Sequence, residues 1–302
     1  MNPIIDQLLN RRTHRSFKNQ PISEEHGYDT TLPPKHTRRN GMNPIIDQLL
    51  NRRTHRSFKN QPISEEHVQL LKEATLRAPT AGNMLFYSVI EVKDQHKKEV
   101  LARCCDNQNM IATAPLVWLF VSDVRKWVNY FHLSGSVEKG EQQGIAFRKP
   151  GAGDFLLANS DALIAAQSAV VAADSLGIGS CYIGDILEQY EEIVDLFDLP
   201  KYTAVATLLI FGYPKSTEAL AHPSIRPPAA SIFMDDSYIE PDLKRLQVAF
   251  GAQQERLKEQ KRLPFNNNGT IADYFYFRKH ISDFMQEMNR SSSLIIKHWL
   301  DE

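Results

Sequence analysis

Residues 42–83, MNPIIDQLLNRRTHRSFKNQPISEEHVQLLKEATLRAPTAGN, hold two helix starts, a basic turn between them and a small-residue loop after them. Asn43-Pro44 suits a helix opening, with Asn at the cap and Pro where its missing N–H leaves nothing unpaired. Ile45, Ile46, Leu49 and Leu50 follow as a helical apolar stripe that should run into Arg52. A second helix should open at Ser64, with Glu65 and Glu66 in its first turn against the helix dipole, and continue through Val68, Leu71 and Ala74 to about Ala78.

The first 26 letters of this stretch also occupy residues 1–26, unchanged. Two copies followed by unrelated sequence do not make a solenoid, which needs at least about three stacked units. In the first copy the second helix start, Ser23 to His26, meets Gly27, Asp29 and Pro33-Pro34 and should not propagate beyond a turn. Identity at every position, exposed ones included, points to a very recent duplication or a cloning artefact rather than a selected element. Residues 1–41 are therefore expected to be a redundant duplicate and linker, poorly ordered, and 42–302 a single domain. The alternative is a basic arm for an anionic partner, since 1–41 has seven Lys/Arg against four Asp/Glu.

Downstream, Leu85 to Val92, Leu116 to Val121 and Ala204 to Phe211 read as strands, the last closed by Gly212 and Pro214. Asp154 to Leu176 is a helix rich in Ala, Leu, Ile and Val on nearly every face, ending at Gly177. It belongs in a core or, as we favour, a subunit interface. Leu243, Leu246, Phe250 and Leu257 predict an amphipathic helix, and Phe275 to Met288 and Leu294 to Trp299 two more, so 230–302 reads as a helical extension.

Composition is that of a globular protein, 42% hydrophobic and 24% charged, and no apolar run reaches the ~20 residues expected of a spanning helix. A net charge of -1 argues against a nucleic-acid binder. With no secretory signal and only Cys104, Cys105 and Cys181, a cytoplasmic protein without disulfides, metal or membrane attachment is expected.

Arg52-Arg53-Thr54-His55-Arg56 can clasp a phosphate, since guanidinium offers bidentate donors and permanent charge; a solvated basic turn or a nucleic-acid patch would use the same letters. Pro79-Thr80-Ala81-Gly82-Asn83 is a loop whose small side chains let backbone approach a ligand, or a plain turn. The glycines from Gly177 to Gly184 follow a helix and precede a strand, the wrong order for a dinucleotide fingerprint. Pro150 to Asp154 reads as a capped helix start rather than an anion site.

Taken in order, Arg52 to Arg56, Pro79 to Asn83, Leu176-Gly177-Ile178-Gly179 with Tyr182-Ile183-Gly184, and Arg226-Pro227 resemble the nitroreductase family over about residues 42 to 230, nearest its larger branch with a long C-terminal extension. The resemblance implies an α+β fold, a central mixed sheet flanked by helices, and a homodimer with flavin at the subunit interface. It implies FMN as cofactor, NADPH or NADH as co-substrate, and a small electron-poor acceptor such as a nitroaromatic, a quinone or free flavin. By that resemblance Arg52, Arg56 and Arg226 hold the flavin phosphate, Thr54 the ribityl or phosphate region and Asn83 the ring or ribityl edge. Tyr182, Ile183 and Gly184 present backbone near the reactive ring nitrogen, Arg53, Thr80, Gly82 and Leu85 complete the cofactor site, and no side chain is assigned as catalytic. Leu85 stands where many members have Gln, and Ser224 where a second basic residue is frequent. The missing Gln keeps open a flavin-binding or storage protein without NAD(P)H turnover.

Overall fold

In the computed structural model, residues 2–11, 43–215 and 224–300 are described. The helices are α1 (Pro3–Leu9), α2 (Pro44–Asn51), α3 (Glu65–Leu76), α4 (Gln95–Cys104), α5 (Asn109–Thr113), α6 (Arg125–Leu133), α7 (Ser136–Glu141), α8 (Ala152–Ser175), α9 (Tyr190–Phe197), α10 (Leu243–Glu259), the short turn α11 (Pro264–Asn267), α12 (Ile271–Phe275) and α13 (Asp283–Leu300). The strands are β1 (Tyr87–Glu91), β2 (Leu116–Asp123), β3 (Gly179–Ile183) and β4 (Thr203–Gly212). The chain divides into a first unit, residues 1–13, 43–218 and 287–302, and a second, 14–42 and 219–286.

The sheet of the first unit runs β1-β2-β4-β3. An α+β fold is therefore present, but each of the three strand pairings is antiparallel where a mixed sheet was expected. The reason lies in β4. β2 and β3 point the same way and α8 lies between them in sequence, as in a parallel crossover, but β4 inserts between them antiparallel to both.

All residues of β2 and β4 are buried, as expected for central strands covered on both faces. Side chains alternate across a strand, so Leu116, Trp118 and Phe120 join one core with α3 and α8, while Val117, Leu119 and Val121 join the other with α4, α5 and α9. Against the first face α8 sets Ala162, Ala165, Ala166, Ala169, Ala172 and Ala173, whose short side chains let helix and sheet approach closely.

The opposite face of α8 is uncovered, with Leu156, Leu157, Leu163 and Ile164 each at least 40% exposed. The helix is thus two-faced rather than buried all round. By length and composition α8 also meets the requirement for a membrane span, contrary to expectation, yet half of it is buried within the unit and it carries a buried acid, Asp161.

The second helix of the domain forms as its cap predicts, with the Ser64 hydroxyl accepting from the His67 N–H. Of the segment expected to be a redundant, poorly ordered duplicate, residues 2–11 are described and include α1, which packs on α3 and α8 with Ile4 and Ile5 buried. Burying two isoleucines contributes roughly 3–6 kcal/mol relative to leaving them in water. The early stop expected after Ser23 falls outside the described residues.

In the second unit α10 covers the amphipathic stretch as predicted, and Phe265 and Phe277 meet edge to face. The two helices expected over 275–288 and 294–299 are redrawn. A π turn occupies Tyr276–His280, Ser282 accepts from the Met285 N–H, and a single helix, α13, then joins the last part of the first stretch, from Asp283, to the whole of the second. The serine run at 291–293 does not break it, because Ser293 donates to the Asn289 carbonyl of its own helix and Ser291 accepts from the Tyr190 N–H.

Candidate cofactor site

α2 ends at Arg52, whose extended backbone turns the chain out of the helix and across the sheet edge. His55 then donates its backbone N–H to the Ser180 carbonyl of β3 at 2.9 Å, Lys59 donates to Tyr213 at 2.8 Å, and Phe58 pairs antiparallel with Pro214. The basic turn is thus tied to the sheet rather than free in solvent.

Two glycines permit this crossing. A Cβ on Gly179 would lie 2.7 Å from the His55 ring, and one on Gly212 2.7 Å from Phe58. The glycines dismissed as a dinucleotide motif therefore include one that gives the arginine turn its seat.

The electrostatics of the turn favour an anion. Burial first, and then the Arg53 and Arg52 guanidiniums, hold the His55 imidazole below its ordinary range. Burial raises the Cys181 thiol while the Arg56 guanidinium opposes it, which puts Arg56 beside β3. Burial raises the Tyr182 phenol and Arg52 opposes that as well. No ion pair to a carboxylate involves Arg52 or Arg56 among the described residues, and Arg52 donates only weakly, at 3.4 Å, to the Arg53 carbonyl. This donor set fits a phosphate.

A pH dependence follows. Because the folded His55 pKa lies below the unfolded one, its contribution to stability is present above the unfolded pKa, about 6.5, and is lost as pH falls through the depressed folded value. An NMR titration should find the His55 midpoint below 6.5, moving upward when a phosphate-bearing ligand offsets the arginines; a midpoint above 6.5 without ligand would contradict this electrostatic picture.

The small-residue loop has a support that sequence reasoning missed. Asp161, 3% exposed, accepts from the Ala81 N–H at 2.9 Å and the Phe86 N–H at 3.1 Å, bracketing the loop with one carboxylate. Within the bracket Thr80 accepts from the Leu85 N–H at 3.3 Å, and Gly82, Asn83 and Leu85 all take left-handed backbone, with Gly82 and Asn83 exposed. A lone acid on the alanine face of an apolar helix was the available signal.

Tyr182, 37% exposed, donates its hydroxyl to Gln167 of α8 at 3.2 Å, while Ile183 is buried and Gly184 exposed at the strand end. α8 therefore carries Asp161 under the loop, Gln167 under Tyr182 and Val171 under α2, whose Gln48 donates to the Val171 carbonyl. At 3.6 residues per turn these three fall within an arc of about 120° and span ~15 Å of helix, so one side of α8 supports all three segments.

Arg226 is exposed and belongs to the second unit. The start of α8 is a capped turn, as expected: Asp154 accepts from the Gly151 N–H and pairs bidentately with Arg148. Cys104, Cys105 and Cys181 are buried and free.

A family model described as the nitroreductase family matches residues 49–213, starting inside the second copy of the repeat. The chain is similar to the FMN reductase (NADPH) of Bacillus subtilis strain 168, 29% identical over 238 residues that make up 79% of this chain and 75% of the relative. It is similar to a second protein of that strain named FMN reductase (NAD(P)H), 26% identical across 95% of this chain and 97% of the relative. Among solved structures, that of NfrA1 from B. megaterium is 25% identical, with a TM-score of 0.68 over 86% of this chain and 100% of that one.

Proposed function

Because this chain belongs to the nitroreductase family, we propose that it is an FMN-dependent oxidoreductase that carries hydride from NAD(P)H to electron-poor acceptors such as nitroaromatics, quinones or free flavin. The observation that carries this reading is the arginine turn bonded to β3, beside the end of that strand where Tyr182 and Gly184 are exposed. Two relatives named as FMN reductases support it.

When bound, FMN supplies a two-electron carrier that exchanges hydride with both substrates. Arg52 and Arg56 bind its phosphate through charge-assisted hydrogen bonds, Arg53 adds positive potential, and Thr54 adds a hydroxyl. Thr80, Gly82, Asn83 and Leu85 form a loop whose strained backbone is held ready by Asp161, so little ordering cost falls on binding. Tyr182, Ile183 and Gly184 offer backbone groups to the ring, and solvent supplies the proton. For Arg226 the assignment rests on the resemblance alone, and Arg226→Ala is expected to weaken flavin retention.

The proposed assembly is a cytoplasmic homodimer with flavin at the shared face. Its support is the uncovered stripe of α8, where Leu156, Leu157, Leu163 and Ile164 lead toward Gln167 and Tyr182. Apolar stripes of this kind are usual at subunit interfaces. Leu163→Glu should convert the dimer to monomer in sedimentation velocity and lower flavin occupancy together; a monomeric parent protein would end the dimer assignment.

The enzyme reading is tested by the absorbance spectrum of purified protein, reconstituted with FMN, before and after anaerobic NADPH or NADH. Loss of the flavin band on mixing is the expected result. A bound flavin that keeps its colour with both nucleotides would favour storage without turnover, and failure to bind FMN would overturn the proposal.

A further inference from the structure

α1 and α2 have the same seven letters, PIIDQLL, but only α1 is seated. Ile4 and Ile5 are 7% and 0% exposed. Their counterparts on α2 are Ile45, half-buried, and Ile46, at 41%, with Leu49 and Leu50 more exposed still. Both helices lie on the C-terminal end of α8. Asn2, at the start of α1, donates to the Ser175 carbonyl at 2.7 Å, and Gln48 of α2 donates to the Val171 carbonyl at 2.6 Å. One turn of α8, about 6 Å of rise, separates those two acceptors.

Each residue of α1 is matched by the same residue of α2, as are their capping asparagines, so the groove between α3 and α8 cannot tell the helices apart by contact. Only chain connection differs. The 31 residues from 12 to 42 are, by count, long enough to span ~100 Å, whereas on its other side residues 52–54 link α2 closely to His55, which is bonded to β3. Seating α2 would bury the apolar face that it now leaves in water, just as α1 buries its own.

We propose that the groove between α3 and α8 is a shared seat, and that residues 43–51 of the same chain occupy it whenever α1 leaves. The two copies are alternative occupants of one docking surface. This inference does not depend on the proposed flavin chemistry.

Ile5→Asp, Ile46→Asp and the double variant of the full chain test it by thermal unfolding. An aspartate on the buried face excludes a helix from the seat, so each single variant leaves the other copy to fill it. Each is expected to move Tm by less than ~2 °C, and the double variant to lower it by ~6 °C or more. If Ile5→Asp alone falls as far as the double variant, the seat belongs to α1 only and the proposal fails.

A second measurement follows the helix itself. In the Ile5→Asp background, Asn43→Cys and Ser175→Cys bring the second cap to the carbonyl that Asn2 now holds. Oxidation and peptide mapping are expected to find a disulfide between positions 43 and 175 within one chain. Its absence, or its formation only between chains, overturns the exchange.

Discussion

Replacing Arg52 and Arg56 together with alanine should lower FMN affinity by about 100-fold or more while leaving the melting temperature within ~2 °C of the parent. Each guanidinium is assigned charge-assisted hydrogen bonds to a phosphate, worth roughly 1.5–3 kcal/mol apiece, and ten-fold in affinity corresponds to about 1.4 kcal/mol. Neither residue has an ion pair to a carboxylate among the described residues, so little folding energy leaves with them. Lysine at both positions keeps the charge and loses the planar fork, so an intermediate loss is expected. Fluorescence titration with FMN measures all three proteins. If the double alanine variant binds FMN within about three-fold of the parent, the arginine turn does not hold the phosphate.

The second large effect is expected at Asp161. Its carboxylate is the acceptor for two N–H groups, at Ala81 and at the buried Phe86, and Asp161→Ala strands both. Losing hydrogen bonds to a charged group and leaving donors unpaired costs about 3 kcal/mol, or roughly 6–12 °C in melting temperature for a domain this size. Amide exchange at Ala81 and Phe86 should accelerate, and FMN affinity should fall because the loop no longer waits in its bound shape. Asp161→Asn is a sharper probe, since one of its two side-chain atoms becomes a donor facing an N–H. Unchanged exchange at both amides would show that the loop is held by something other than this carboxylate.

These two sites differ in how far the sequence announced them. The arginine turn could be found because permanent charge packed into five residues is chemically conspicuous, and its order relative to the later glycine and asparagine loops narrowed its use. What the letters could not convey was that the turn lies against β3, since that depends on Gly179 and Gly212 having no side chain where His55 and Phe58 cross. Asp161 was hidden by averaging: in a helix dominated by Ala, Leu, Ile and Val, one acid hardly disturbs the hydropathy, yet it lies on the alanine face among the most buried positions.

Elements were legible wherever local chemistry decided them. Ser64 capped its helix as read, and the apolar runs at Leu116 and Ala204 became the two central strands. Strand direction was not legible, because the placement of β4 between β2 and β3 is a long-range choice that leaves no trace in any one segment. The gap expected between Met288 and Leu294 closed into one helix, because apolar spacing does not report that the hydroxyls of Ser291 and Ser293 find N–H or carbonyl partners. Identical copies posed a harder problem still, for no reading of α1 and α2 in isolation can say which one the core accepts.

The seated first copy has a bearing on how this protein can change over generations. If the two copies exchange at the seat, a substitution in a single copy of PIIDQLL meets a spare of the same sequence, so damage that would be purged from an unduplicated chain becomes nearly neutral. Drift is then free to begin in whichever helix stands outside, and of the two identical arginine runs the one at Arg52 to Arg56, which leads into the helix opened by Ser64, stays under selection while the helix before it does not.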